Sequence, residues 1–338
     1  MAASRRRISI VAPAAPAKFF SSGCGLLDCV LGGGWALRRM INVVGDKSTG
    51  KTLLAIEACA NFTRTFPKGR VIYDEVESAF DVDYAQTLGF PVSNLDLVDD
   101  LRTVEAFWLQ TDETIKEQMD LDEEERRERP VLTVIDSMDA FSDAAEMERD
   151  VGDKSFGMAK QKIMSEGFRK KVGEMAAANI TLFIISQVRD NIGAQAFSKQ
   201  VRRAGGKWLD FYASQCLWLY EQEKIEKTVS NIKRKIGMRI KCRLEKSKVG
   251  WPWRECVVPV IYGYGMDDKR AALDWYNTAS PKSISGIFAA AGMGDVDEKN
   301  FVRYMDKLPR DVLARALVAD WERIDPIPPR GTQVRVGI

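Results

Sequence analysis

The chain reads as an α/β protein built on a mostly parallel central sheet covered by helices. Continuous apolar runs, INVV, RVIYDE, LDLVDD, VLTVID and ITLFIIS, recur between helix-like stretches. That is the pattern of strands buried on both faces. Residues 41–52, INVVGDKSTGKT, set one such strand directly before a Gly-x4-Gly-Lys-Thr loop, and the helical TLLAIEACANFTRTF follows. With 338 residues, 45% hydrophobic and 29% charged, the chain can bury a large core.

The elements divide into three expected regions. Residues 1–20 form an arm with a strand-like ISIV and a stiff Ala-Pro stretch before Phe19 and Phe20. Residues 21–274 carry the alternating strands and helices. In MDLDEEERRER, residues 119–129, charge density predicts only a solvated helix end or loop before Pro130. Between Gln215 and Val249, Ile236, Met238, Ile240, Cys242 and Leu244 alternate with charged residues, which predicts a strand with one wet face. Residues 275–338 hold the helical pieces SISGIFAAAG, DEKNFVRYMDKL and RDVLARALVADWERI and then a proline-rich tail, together a small helical domain.

Composition excludes several function classes. The chain has no histidine, and its six cysteines form no Cys-x-x-Cys pair, so zinc sites and Ser-His-Asp catalysis are not expected. Scattered thiols fit a reduced cytoplasm better than a disulfide framework. No run of 18 apolar residues predicts a membrane span. The opening MAASRRRISIVAPAAPA has leader-like features, but Pro13 and Pro16 break its short apolar patch, so a cytoplasmic protein is expected. The net charge of +2 hides a separation. Residues 154–207 carry eleven Lys/Arg against three Asp/Glu, and residues 221–248 carry ten against four, so the rest of the chain is net acidic. The middle of the chain is the polyanion-facing part, or else a solvated basic surface.

The loop at Gly45, Asp46, Lys47, Ser48, Thr49 and Gly50 is a phosphate cradle. Glycines let successive N–H groups face an anion, and the following helix adds the positive end of its dipole. Lys51 can reach the outer phosphates, and Thr52 can ligate magnesium. Asp136 ends the apolar strand VLTVID, where a carboxylate can hold the metal's water shell, so Thr52 and Asp136 are the expected metal residues. Asp74, Glu75, Glu77 and Asp81 cluster at another strand end; one can orient attacking water, and spacing alone does not choose which.

ITLFIIS runs into Ser186 and Gln187, a polar amide placed to sense a terminal phosphate and relay it to the next loop. That loop, AQAFSKQVRRAGGKW, is long, basic and glycine-containing. Upstream, Lys162, Arg169 and Gly173 share nearly one helical face. With Phe156 and Ile192 as candidate wedges between bases, these residues suggest a nucleic-acid backbone groove. Phe156 is equally readable as core.

These residues resemble the RecA family of recombinases from about Ser21 to Asp267. The strings GDKSTGKT, ESAFDVDYAQTLGF, VIDSMDAF, GDKSFGMA, IISQVRDNIG, AGGKWLDFYAS, LEKSKVGWPW and VIYGYGM follow one another in the order of bacterial-type members. The resemblance implies a RecA-like ATPase core using ATP and Mg2+. It places Glu77 at the catalytic glutamate, Asp81, Tyr84, Tyr262 and Gly263 around adenine, and Gln187 at the phosphate-coupling glutamine. Lys246 and Lys248 match lysines that reach ATP on the adjacent subunit. Residues 150–158 and 193–207 match two DNA loops. Lys160, Lys162, Arg169, Arg189, Gly205 and Gly206 fall on DNA-contact positions, and Phe156 and Ile192 fall where apolar side chains enter between stretched base triplets.

The departures are specific. The arm is shorter than in bacterial members, so subunit contact is expected to rest on ISIV added to a neighbour's sheet, with Phe19 or Phe20 as a plug. Ser186 replaces the usual asparagine, and Lys199, Arg202, Arg203 and Lys207 make the second loop more basic, which favours tighter or less switchable DNA binding. The acidic tail of many bacterial members is absent. The expected function is an ATP-dependent recombinase that filaments on single-stranded DNA, pairs it with double-stranded DNA and exchanges strands, alone or with a single-strand-binding protein or loading factors. The rivals are a hexameric DNA motor of the same fold and a non-hydrolysing loader.

Overall fold

The computed structural model describes residues 19–77, 80–149, 158–190, 201–203, 207–294, 296, 300–305 and 307–325. Its strands are β1 (Phe19–Phe20), β2 (Trp35–Ala36), β3 (Met40–Gly45), β4 (Arg70–Glu75), β5 (Leu95–Val98), β6 (Val131–Asp136), β7 (Ile180–Asp190), β8 (Val201–Arg203), β9 (Gln215–Val229), β10 (Ile232–Ser247), β11 (Glu255–Ile261) and β12 (Gly265–Met266). The helices are α1 (Gly25–Leu31), α2 (Lys51–Thr65), α3 (Val82–Thr87), α4 (Val104–Asp120), α5 (Glu123–Glu128), α6 (Ala144–Met147), α7 (Met158–Ala177), α8 (Lys207–Tyr212), α9 (Asp268–Ala279), α10 (Ser283–Ala290), α11 (Phe301–Met305) and α12 (Arg310–Ile324).

Ten strands form one sheet in the order β12-β11-β10-β9-β3-β7-β6-β4-β5, with β8 pairing β7 off this path. The run from β9 to β5 is parallel, and β10, β11 and β12 extend it antiparallel. Four of the five apolar runs become strands covered on both faces, whereas β5, from LDLVDD, ends the sheet and leaves Asp96 and Leu97 exposed. Tyr73, Val134 and Phe183 enter the cluster beneath α1 and α2, while Ile72, Ile135 and Ile184 enter the one beneath α4 and α7. With a side-chain period of two, a strand apolar on both faces reads as a continuous apolar word.

The antiparallel extension follows the other pattern. In β10, Met238, Ile240, Cys242 and Leu244 are buried, whereas Arg239, Lys241 and Arg243 stay half-exposed. Register across the parallel sheet aligns Gly45 with Gln187 and Glu75 with Asp136 at the carboxyl edge. One edge therefore presents the phosphate loop, two strand-end acids and the polar amide together.

The apolar cluster runs without a break from the sheet into Tyr276, Ile284, Phe288, Leu313, Leu317 and Trp321 of the last helices. At the other end, Phe20 pairs with Trp35 in β1–β2 and lies 5.4 Å from Phe62, at 2% exposure. This corrects the expectation that Phe20 plugs a neighbour, because burial commits it to its own core. Phe19 covers Gly33. The ISIV segment lies outside the described residues. No described helix is long and apolar enough to cross a membrane.

Candidate nucleotide site

The phosphate loop is built by two glycines with different tasks. Gly50 has φ +84°, a left-handed conformation that lets the chain turn into α2. At Gly45 a β-carbon would collide with Thr49 Oγ1. Gly50 offers no side-chain cap to α2, so the helix's first N–H groups are available to an anion. Lys51 Nζ donates to the Asp46 carbonyl at 2.7 Å, which folds the lysine back over the loop. Burial lowers its pKa, and Asp136 and Glu77 oppose that shift.

Thr52 Oγ1 donates to Asp136 Oδ2 at 2.8 Å, and Tyr73 OH donates to the same oxygen at 2.8 Å. Burial raises the Asp136 carboxyl to about 6 despite both donors, and Glu77 and Glu75 push in the same direction. A hydroxyl and a strand-end carboxylate in contact beside a phosphate cradle match the donor set for Mg2+ with its water shell. The fit is chemical as well as spatial, since a cation would relieve the crowding of Asp136 by neighbouring acids.

Glu77 stands at the junction of three elements. Its backbone N–H is held by Glu75 Oε1 at 2.7 Å, and its own Oε1 accepts from Ser137 Oγ and, at 3.0 Å, from Gln187 Nε2. Gln187 is fixed in turn by its backbone N–H, which donates to Asp139 Oδ2 at 2.8 Å. Sequence reasoning missed Ser137, Asp139 and Tyr73. The first two lie in VIDSMDAF just past a strand end, a signal too short to reveal which acid they serve.

The expected adenine side is partly assembled. A cavity of about 430 Å3 is lined by the loop from Ser48 to Leu53 together with Tyr84, Met238, Val260 and Tyr262. Gly263 follows with φ +76° and open space around it. Asp81 caps α3, accepting from the Tyr84 N–H at 2.9 Å. Lys246 and Lys248 do not line this cavity. Lys246 Nζ donates to the carbonyls of Asp210 and Phe211, and Lys248 Nζ donates to Phe211 at 2.8 Å, so both hold the end of α8.

Of the expected DNA residues, Lys162, Arg169 and Gly173 are exposed along α7. Lys160 is turned to the carbonyls of Asp139 and Phe141, at 3.2 and 2.6 Å. Arg203 is held within the chain: its side chain is 5% exposed, donates to Asn42 Oδ1 at 2.9 Å and pairs with Asp210 at 2.7 Å, so in this conformation it joins β3 to α8. Asn42 also donates to Ser186 Oγ at 2.9 Å, which gives the unusual serine a partner on the phosphate-loop strand. Phe156, Ile192, Lys199, Gly205 and Gly206 lie outside the described residues, as do the side chains of Arg189, Arg202 and Lys207.

The model of the RecA N-terminal domain matches residues 12–267. The chain belongs to the RecA family. Among relatives, Protein RecA of Leifsonia xyli subsp. xyli is 31% identical over 294 residues, covering 85% of this chain and 77% of that one. Protein RecA of Helicobacter hepaticus is 33% identical over 256 residues, covering 75% and 69%. The chloroplastic DNA repair protein recA homolog 1 of Arabidopsis thaliana is 31% identical over 255 residues, covering 75% and 54%. The chain thus spans about half the length of the chloroplast relative. The RecA match ends at residue 267, so α9 to α12 lie beyond it.

Proposed function

We propose that the chain is a DNA-dependent ATPase that filaments on single-stranded DNA, pairs it with homologous duplex and exchanges strands. The observation that carries this reading is the bond from Gln187 Nε2 to Glu77 Oε1. It ties the acid best placed to orient water to the strand that leads directly into the basic segment 191–207. In this reading Glu77 positions the water, Lys51 and the amides of the loop from Gly45 to Thr52 hold the phosphates, and Tyr84, Tyr262 and Gly263 border the base. Bound at Thr52 and Asp136, Mg2+ would neutralise phosphate charge as it develops. Gln187 reports the terminal phosphate to the DNA segment.

Lys246 and Lys248 act on a neighbour's nucleotide in this proposal, so assembly is a condition for turnover. In the arm, residues 1–20, the part before β1 supplies subunit contact; residues 21–274 form the ATPase and DNA core, and residues 275–338 a small helical region. Lys162, Arg169, Arg189, Lys199, Arg202 and Lys207 face backbone phosphates, which makes binding strongly salt-dependent. Phosphate hydrolysis with and without single-stranded DNA, alongside electron microscopy of the same mixture, tests the reading. DNA-stimulated hydrolysis with helical filaments is the expected result. Closed rings with directional unwinding, or filaments that never hydrolyse ATP, would overturn it.

A further inference from the structure

Half of the chain's eight tryptophans meet at one cleft away from the nucleotide site. Trp251 and Trp253 sit on the turn between β10 and β11, at 46% and 59% exposure. Trp275 on α9 and Trp321 on α12 complete the cleft, with ring centroids 5.7 Å apart. Its volume is about 340 Å3. Trp253 is held at φ +71°, where a bulky side chain is rarely found, and its N–H is anchored on the Leu244 carbonyl at 2.6 Å. An exposed aromatic kept in an unfavourable backbone conformation is a reason to look for a ligand.

Charge around the cleft is balanced. Arg254 pairs with Asp325 at 2.6 Å and lies over Trp321, Lys241 pairs with Glu255 at 2.8 Å, and Arg243 lies over Trp253 beside Glu245. A nucleic-acid platform combines aromatic faces with a positive groove, and here the cations already have anionic neighbours. A neutral aromatic cleft fits a proline-rich segment, whose extended helix is preformed and whose carbonyls have no internal partner. Trp321 Nε1 is buried and has no hydrogen-bond partner among the described residues, so it can donate to such a carbonyl after a small shift.

The chain carries such a segment at this spot. Asp325 lines the cleft, pinned by Arg254, and the next four residues are Pro326, Ile327, Pro328 and Pro329. They carry no charge, and in the polyproline conformation four residues span about 12 Å. We propose that the cleft is an intramolecular docking site for Pro326–Pro329. With no linker between anchor and ligand, effective concentration is on the order of millimolar, so even a weak intrinsic affinity gives substantial occupancy.

The test is residue-resolved hydroxyl-radical footprinting of the full chain by mass spectrometry, comparing wild type with Pro328→Ser/Pro329→Ser and with Ile327→Asp. The expected result is that Trp251 and Trp253 oxidise about threefold faster in both variants, as the loss of a site with Kd about half its effective concentration requires. Buried Trp35 and Trp208 serve as the folding control and should not change. Equal rates at Trp251 and Trp253 in all three proteins would overturn the proposal. So would protection that fades on dilution, which means a second copy, or protection that appears only with an added oligonucleotide.

Discussion

Gln187 Nε2 donates to Glu77 Oε1 at 3.0 Å across strands that are not neighbours in sequence. The glutamine is anchored at its backbone by Asp139 and the glutamate by Ser137, so the pair is held from both sides. Replacing Glu77 by Gln keeps the size of the side chain and removes its capacity as a base. Turnover should fall about 10²- to 10⁴-fold while ATP-dependent DNA binding persists. Steady-state phosphate release and a salt-matched DNA-binding assay check this; wild-type turnover would mean that another acid orients the water.

Gln187→Ala removes this one donor to Glu77 and leaves the residues of the phosphate loop and the acid itself unchanged. Hydrolysis without DNA should stay within a factor of a few, and stimulation by single-stranded DNA should drop about tenfold, a coupling of roughly 1.4 kcal/mol. Equal losses with and without DNA would assign Gln187 to the chemistry itself.

A site shared between subunits can be tested by mixing two inactive proteins. Lys51→Ala chains keep Lys248, and Lys248→Ala chains keep Lys51. In an equimolar head-to-tail filament, about one interface in four combines both intact halves. Hydrolysis should therefore recover to about a quarter of the wild-type rate. No recovery on mixing would show that Lys248 acts within its own chain.

Asp74 is fully buried, accepts from Gln110 Nε2 at 2.7 Å through Oδ1, and its other oxygen has no hydrogen-bond partner among the described residues. Burial raises its carboxyl from 3.8 to about 7. The folded chain then binds this proton more tightly than the unfolded chain. That contribution to stability is complete below pH 3.8 and is lost as pH rises through 7. Asp74→Asn keeps the acceptor and removes the charge. It should stabilise the fold by on the order of 2 kcal/mol at pH 8 and clearly less at pH 5. Thermal unfolding at the two pH values reads this directly, and an equal gain at both would refute the burial argument.

Gln215 is a buried clasp. Its Oε1 accepts from the Ala36 N–H at 2.9 Å, and its Nε2 donates to the carbonyls of Leu31 and Gly34 at 3.0 and 2.9 Å. Gln215→Leu strands three buried backbone groups and should cost about 3 kcal/mol in chemical denaturation. A loss under 1 kcal/mol would mean that the segment 31–36 finds other partners.

Much of this was legible before the structure. Strands buried on both faces write themselves as unbroken apolar words, and a phosphate loop needs glycine at two fixed places, so β3, β4, β6, β7 and the loop could be read directly. Thr52, read from the phosphate-loop motif, and Asp136, read from the end of an apolar strand, were both expected on the metal side, and the fold brings them into contact. What could not be read depends on partners distant in sequence. Gln215 looks like the first polar residue of a strand until Leu31 and Gly34 are folded over it. Arg203 belongs to a basic run, yet Asn42 and Asp210 turn it inward. Phe20 sits in an aromatic pair that reads as a free plug until Trp35 and Phe62 close around it.

The ammonium groups of Lys246 and Lys248 form the positive counter-charge at the end of α8, the helix that follows the basic segment. A cation cannot serve that helix and a neighbour's phosphate at the same moment. If subunits join as proposed, each lysine that swings across gives up a helix-end interaction of about 0.3–1 kcal/mol. The same residues would then act as a brake on premature joining, released only when a stronger anion is offered from the other side.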